Sequence, residues 1–313
     1  QGTVCEVCGR VLKEQLTVDK LGHSIKETVA AKATKENHGE LIKECTRCGD
    51  KESQRVYLIK SVSMAKDRYA YNGKIPKVTV KVIDSQKNLL REGEDYTVSA
   101  GSAKKVGTHT ATVKFKGKYG GTEKLTFDIV PGKTSAVKAA ESTSYLKLTW
   151  NKVSGATGYR VYQYDSKTKS YKLLTSLKGK NSYTVKKLKS GTVYKFAVKA
   201  YTKQSDGTVY WGSSVKVQFA TKPAATDIAL KSAAKKTAEI SWNKVSGASG
   251  YQIYYASSKD GDYKKLKSTT ALSYKKTGLK SGKTYYFKVR AYKKVDGKTV
   301  YGAFGKIKSV KVK

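Results

Sequence analysis

W-N-K-V-S-G-A-T-G-Y at residues 150–159 returns as W-N-K-V-S-G-A-S-G-Y at residues 242–251, with nine of ten positions identical. A period of about 90 residues is too long for a solenoid unit and fits two copies of one independently folding module. The same stretch sets the character of that module. Leu146, Leu148 and Trp150 alternate onto one face of a strand, and a turn at Ser154-Gly155 leads to Tyr159 and Val161 on the next strand. Ala238, Ile240 and Trp242, followed by Tyr251 and Ile253, repeat the arrangement. Each Trp is therefore read as a core residue against which a second sheet packs.

Moving outward, L-K-S-G-T-V-Y (188–194) recurs as L-K-S-G-K-T-Y (279–285). This spacing suits a tyrosine corner, in which a Tyr hydroxyl bonds back to the chain as it turns between two sheets. A Y-x-F-x-V-x-A-Y strand follows in both copies, at 194–201 and 285–292. Taken together, the strand Trp, the G-Y-x-[VI]-Y strand, the corner and the final strand resemble fibronectin type III domains. The resemblance covers both copies and implies antiparallel β-sandwiches at 132–222 and 223–313. The W-N-K-V-S-G-A-x-G-Y variant looks like those appended to surface proteins and carbohydrate-active enzymes of anaerobic Firmicutes, which implies a secreted or cell-surface Gram-positive setting. No R-G-D occurs, so integrin-type adhesion is not implied.

Composition agrees with an all-β chain. It has 23 Tyr and only three Pro in 313 residues, and long helical periodicity is absent. No apolar run approaches the roughly 18 residues of a membrane span, and beginning at Gln1 with no signal peptide the chain reads as cut from a longer protein. With 63 Lys plus Arg against 24 Asp plus Glu, the net charge is +39, which attracts polyanions. The basic residues are mostly Lys and evenly spread, without an Arg-rich run or an RNA-binding signature. Specific nucleic-acid recognition is therefore not expected, and an anionic polysaccharide or cell-wall polymer is the more natural neighbour.

All four cysteines lie in residues 1–56, as C-x-x-C-G at Cys5 and Cys8 and again at Cys45 and Cys48. Two such knuckles supply four thiolates for a structural zinc ion in a zinc-ribbon-like segment, the following Gly allowing the tight turn. His23 is a possible additional ligand, and His38 a weaker one. Disulfides linking Cys5 or Cys8 to Cys45 or Cys48 are the competing reading in an oxidising compartment. So short and polar a segment is expected to need its metal to fold.

Residues 57–131 show period-two runs: Val78, Val80 and Val82; Ala111, Val113 and Phe115; Leu125, Phe127 and Ile129. They predict a small sandwich, and the segments at 69–80, 94–98 and 106–117 resemble the immunoglobulin-like modules of secreted Gram-positive surface proteins. His109 is read as a cross-strand or solvent-face residue. The joins at Pro131 and Pro223 are short, so adjacent modules are expected to be restrained and the four segments to form an elongated, monomeric rod.

Alternation also selects an outer face. Tyr162, Tyr164, Lys195, Lys199 and Tyr201 point outward in the first copy, and Tyr254, Tyr286, Lys288, Arg290 and Tyr292 in the second. Rings that stack on sugars beside cations that hold acidic groups make these Tyr residues, with Trp211, candidate glycan contacts; cross-strand Tyr and Lys pairing is the plainer reading. No nucleophile, base and oxyanion constellation is present, so the segment is not expected to be an enzyme. No motif marks Lys to Asn isopeptide links. A non-catalytic extracellular stalk is the leading expectation, with a polysaccharide-binding module accessory to an enzyme elsewhere in the parent protein as the alternative.

Overall fold

The computed structural model describes residues 3–4, 6–8, 10–13 and 22–313, and every regular element among them is a strand. No helix is long and apolar enough to cross a membrane. The chain divides into two compact units, one comprising Gln1–Asp67, Ile75–Ala103 and His109–Phe127, the other Arg68–Lys74, Lys104–Thr108 and Asp128–Lys313.

In the first unit β1 (Thr3–Val4) pairs antiparallel with β2 (Val11–Lys13). Next, β3 (Ile25–Ala31), β4 (Gly39–Cys45) and β5 (Lys51–Val56) form an antiparallel sheet with β4 in the centre. Its core is thin. All seven residues of β3 are exposed, whereas β4 buries Gly39, Leu41 and Cys45.

The following strands are β6 (Ile59–Met64), β7 (Arg68–Ala70), β8 (Val80–Asp84), β9 (Tyr96–Ser99), β10 (Gly107–Phe115) and β11 (Thr122–Val130). Within the first unit β6 pairs with β8, and β10 is flanked by β9 and β11. The expected alternation is present: Val78, Val80, Val82, Ala111, Val113, Phe115 and Phe127 are buried while Thr79, Lys81 and Lys114 face solvent. Two polar groups are built into this core. The Tyr96 hydroxyl donates to the Val80 carbonyl at 2.9 Å. The buried Asp84 carboxylate accepts from the Gln86 and Asn88 amides and the Asn88 side chain at 2.8–3.0 Å, closing the turn that follows β8.

In the second unit β7 lies parallel to the Asp128–Val130 end of β11. The first repeat then contributes β12 (Lys138–Glu141), β13 (Leu146–Thr149), β14 (Gly158–Asp165), β15 (Ser170–Lys178), β16 (Ser182–Val185), β17 (Val193–Lys203), β18 (Val209–Trp211) and β19 (Val215–Ala220). One sheet has the order β12-β13-β16; the other has β15-β14-β17, with β18 and β19 successively along the far side of β17. The second repeat supplies β20 (Ile228–Lys231), β21 (Ala238–Trp242), β22 (Gly250–Ala256), β23 (Lys264–Thr269), β24 (Ser273–Lys276), β25 (Thr284–Val295), β26 (Lys298–Phe304) and β27 (Lys308–Lys311). Its sheets, β20-β21-β24 and β23-β22-β25 with β26 and β27 on β25, have the same topology.

Both cores are filled by the predicted inward residues. Leu146, Leu148, Trp150, Tyr159, Val161, Phe196, Val198 and Ala200 correspond to Ala238, Ile240, Trp242, Tyr251, Ile253, Phe287, Val289 and Ala291. The Trp and Tyr of the repeated motif meet ring to ring, with centroids 5.4 Å apart in the first copy and 5.5 Å in the second. The Tyr does more than pack. Its hydroxyl accepts the Val153 amide at 2.7 Å in one copy and the Val245 amide at 2.8 Å in the other, tying the V-S-G turn to the strand that leaves it. The tyrosine corners are also formed, Tyr194 accepting from the Lys189 amide at 2.8 Å and Tyr285 from the Lys280 amide at 3.2 Å.

The join between the repeats is stitched into both. Pro223 is buried, and the Lys222 amide donates to the Ser142 carbonyl while its own carbonyl accepts from Gly191. The Ser246-Gly247 turn of the second copy rests on Gly191, in the tyrosine-corner loop of the first. A Cβ on Gly247 would stand 2.3 Å from the Gly191 carbonyl oxygen. Gln218 of β19 also donates to the Asp296 carboxylate in the turn between β25 and β26. The conspicuous motif thus fills the core with its Trp and Tyr and contacts the preceding module with its glycine turn.

Candidate functional site

Two groups of chemically equipped side chains stand out. The first is at the end of the N-terminal sheet. Pairing of Ile25 with Cys45 brings the start of β3 to the end of β4, so that His23 reaches the turn between β4 and β5. A ring nitrogen of His23 and the sulfurs of Cys45 and Cys48 all lie within 4.8 Å of one another, and Nδ1 is 3.5 Å from the Cys48 sulfur. The knuckle is held by backbone: the Cys45 amide donates to the Asp50 carbonyl, Gly49 donates to the Cys45 carbonyl, and Thr46 donates to Ser24. The Arg47 guanidinium donates to the Gly22 carbonyl at 2.6 Å, fixing the segment that carries His23.

The electrostatics of this cluster follow from its donors. The amides of Cys48 and then Arg47 point at the Cys45 sulfur, and with the His23 imidazole they bring its pKa down to about 6. His23 is pushed up, chiefly by its hydrogen bond to Cys45 and by the thiolate charge there. At Cys48 the Asp50 amide pulls downward, but sharing a proton with Cys45, desolvation and the Asp50 carboxylate together leave the thiol above its usual value. Of the other residues named for this site, Cys8 is exposed and stands apart from the three-residue cluster, and Cys5 lies outside the described residues. His38 is engaged elsewhere, its Nδ1 accepting the Leu58 amide at 3.0 Å and its ring meeting Tyr57 edge-on.

The second group comprises the outer faces of the two larger sheets in the repeats. In the first copy Trp211 pairs with Tyr201 across β17 and β18, ring centroids 5.4 Å apart, with the Arg160 guanidinium 4.6 Å and the Lys199 ammonium 5.1 Å from its own ring centre. Further along, Lys195 lies over Tyr164, which meets Tyr171 edge-on. Tyr162 sits half-buried on the same strand. In the second copy Arg290 is the hub. Its guanidinium is 4.0 Å from the Tyr301 ring centre, 4.9 Å from Phe304 and 5.6 Å from Tyr254, and it donates to Gln252 Oε1 from Nε and Nη2 at 3.0 and 2.8 Å. Lys288 lies between Tyr263, at 3.9 Å, and Phe304, at 4.6 Å. Tyr254 and Tyr286 are half-buried on this face.

The structure departs from simple alternation at Tyr292, which is 9 % exposed. The hydroxyl end of its ring covers Gly250, where a Cβ would stand 2.5 Å from the hydroxyl oxygen. A register shift between Arg290 and Tyr292 accompanies this placement, and Tyr201 of the first copy makes the same approach to Gly158. Trp211 ends strand β18 and is half-buried. Its missing partner in the second copy is Tyr301, which pairs with Tyr292 as Trp211 pairs with Tyr201. The change from Trp to Tyr, at positions whose spacing from the preceding strand differs by one residue, hid that equivalence. Phe304, Tyr263 and Gln252 also belong to the ladder and carried no signal, because their partners are fixed by cross-strand register alone.

Between the repeats lies a groove of about 730 Å³ bordered by Lys138, Lys216, Lys222 and Lys298, with Glu141 and Asp296 as its acidic members.

The fibronectin type III domain model matches residues 130–217 and 223–300, more than half of the chain. The chain belongs to the fibronectin type III family. Among solved structures it is similar to a two-domain fibronectin type III segment of chicken tenascin, at 14% identity, covering 58% of this chain and 99% of that one with a TM-score of 0.37. It is also similar to the FN1–FN3 domains of chicken CNTN1, at 16% identity, 93% and 100% coverage and a TM-score of 0.34. A third likeness is to the structure titled FN3tt mut, at 27% identity, 29% and 96% coverage and a TM-score of 0.25. No curated protein matches the sequence. Fibronectin type III domains are common spacer and adhesion modules of extracellular proteins and are generally non-catalytic.

Proposed function

We propose that this chain is a non-catalytic extracellular spacer that holds other parts of a bacterial surface or secreted protein at a set position. The observation that carries this reading is the built joint between the repeats. A flexible tether needs no buried Pro223, no Lys222 hydrogen bonds into the first module, and no glycine seated against the neighbouring loop. The Gram-positive setting, and an immunoglobulin-like module at 57–131, rest on the resemblances of sequence described above. Limited proteolysis tests the spacer reading: the join at 221–224 should resist cleavage as well as the strands do, and preferential cutting there would count against it.

A second reading, binding of a polysaccharide or anionic cell-wall polymer, is favoured by the cation and ring ladders and by the four lysines around the groove. The ladders themselves argue for its lower rank. The Trp211 face is occupied by Arg160 and Lys199, so a sugar must displace two cations worth about 0.5–1 kcal/mol each at such exposed sites. A glycan array probed with wild type and with Trp211→Ala and Tyr201→Ala separates the readings. Binding that is lost in the variants establishes the second, and no binding, or binding unchanged by them, removes it.

A further inference from the structure

We propose that His23, Cys45 and Cys48 bind one zinc ion, and that this ion staples the start of β3 to the turn between β4 and β5. The site goes beyond the spacer reading and stands or falls separately from it.

The donor geometry fits. Zinc bonds of about 2.3 Å to sulfur and 2.0–2.1 Å to nitrogen, at a tetrahedral angle, place the two donors about 3.5 Å apart. The separation of Cys48 Sγ and His23 Nδ1 is 3.5 Å, and all three donors fall within a 4.8 Å set. Two thiolates and an imidazole are a soft set that selects zinc over calcium or magnesium. The knuckle is also held in place by its backbone, Gly49 at φ +77° donating to the Cys45 carbonyl and the Cys45 amide to the Asp50 carbonyl. The sheet needs such a tie. With every residue of β3 exposed, hydrophobic burial contributes little to holding that strand, and a metal joining His23 to Cys45 and Cys48 closes the chain between them.

The test uses the full chain, reduced, loaded with zinc and freed of excess metal. Native mass spectrometry should find one zinc per chain. His23→Ala and Cys48→Ser should each weaken binding by at least about tenfold, against a competing chelator, while His38→Ala leaves it intact. Cys45 is buried and its replacement endangers folding, so His23→Cys serves as the rescue: it restores a donor and should rebind zinc where His23→Ala does not. Chelation should speed amide exchange in β3 and β4. Failure to retain zinc, retention unchanged in His23→Ala and Cys48→Ser, or a purified chain whose intact mass shows Cys45 and Cys48 oxidised and which takes up no metal after reduction, would each overturn the assignment. Exchange in β3 and β4 that ignores chelation would overturn the staple.

Discussion

The hydroxyl of Tyr251 shows how much one atom does in this chain. It accepts the Val245 amide, which is buried with it, while its ring packs on Trp242. Tyr251→Phe keeps the packing and strands the amide, so it should cost about 1–3 kcal/mol of stability, read from the midpoint of denaturant unfolding. A change below the error of that measurement would mean that the turn finds another partner. Tyr119 supplies a titration at the same scale. Desolvation, reinforced by the charges of Asp95 and Asp84, pushes its pKa up to about 12. The folded state therefore prefers the neutral phenol. Its contribution to stability is complete below about pH 10, the ordinary Tyr value, and is lost as pH rises through about 12. Tyr119→Phe should flatten the loss of stability over that interval, monitored by thermal melts across pH.

At the scale of strands, the outer sheet faces are self-satisfied. Arg290 contacts three rings and donates twice to Gln252, itself only 6 % exposed. Arg290→Ala should destabilise the second repeat by about 1–3 kcal/mol, mostly through the two charge-assisted hydrogen bonds lost at Gln252 Oε1, which keeps only the Tyr254 hydroxyl at 3.3 Å, and Arg290→Lys should recover only part of it because one ammonium cannot replace the planar fork. Equal stability of the alanine variant would leave the ladder without a structural role. The strands themselves were legible in sequence. Leu146, Leu148 and Trp150 show their period of two directly, and the corner spacing located Tyr194 and Tyr285. What escaped was whatever depends on register between strands. Tyr292 alternates outward on paper but folds over Gly250 at a register shift, and Trp211 finds its equivalent, Tyr301, only once both are seen paired to the same position of the preceding strand. Likewise the two C-x-x-C motifs announced sulfur chemistry, yet nothing in their spacing showed that strand pairing brings His23, rather than Cys8, into the cluster with Cys45 and Cys48.

For the molecule as a whole, the repeated motif serves a module and its neighbour at once. In the second copy the V-S-G turn is locked by Tyr251 on one side and seated on Gly191 on the other. Gly247 adopts φ +74° and leaves no room for a Cβ, so Gly247→Ala should cost about 1–2 kcal/mol in backbone strain and release the contact, while each module keeps its own fold. Residual dipolar couplings of the two repeats in the full chain test the restrained joint most directly. One alignment tensor should describe residues of both repeats in the wild type, and Gly247→Ala should split it into two. Two tensors of unlike magnitude in the wild type would contradict the account, because modules that reorient freely cannot hold anything at a set position.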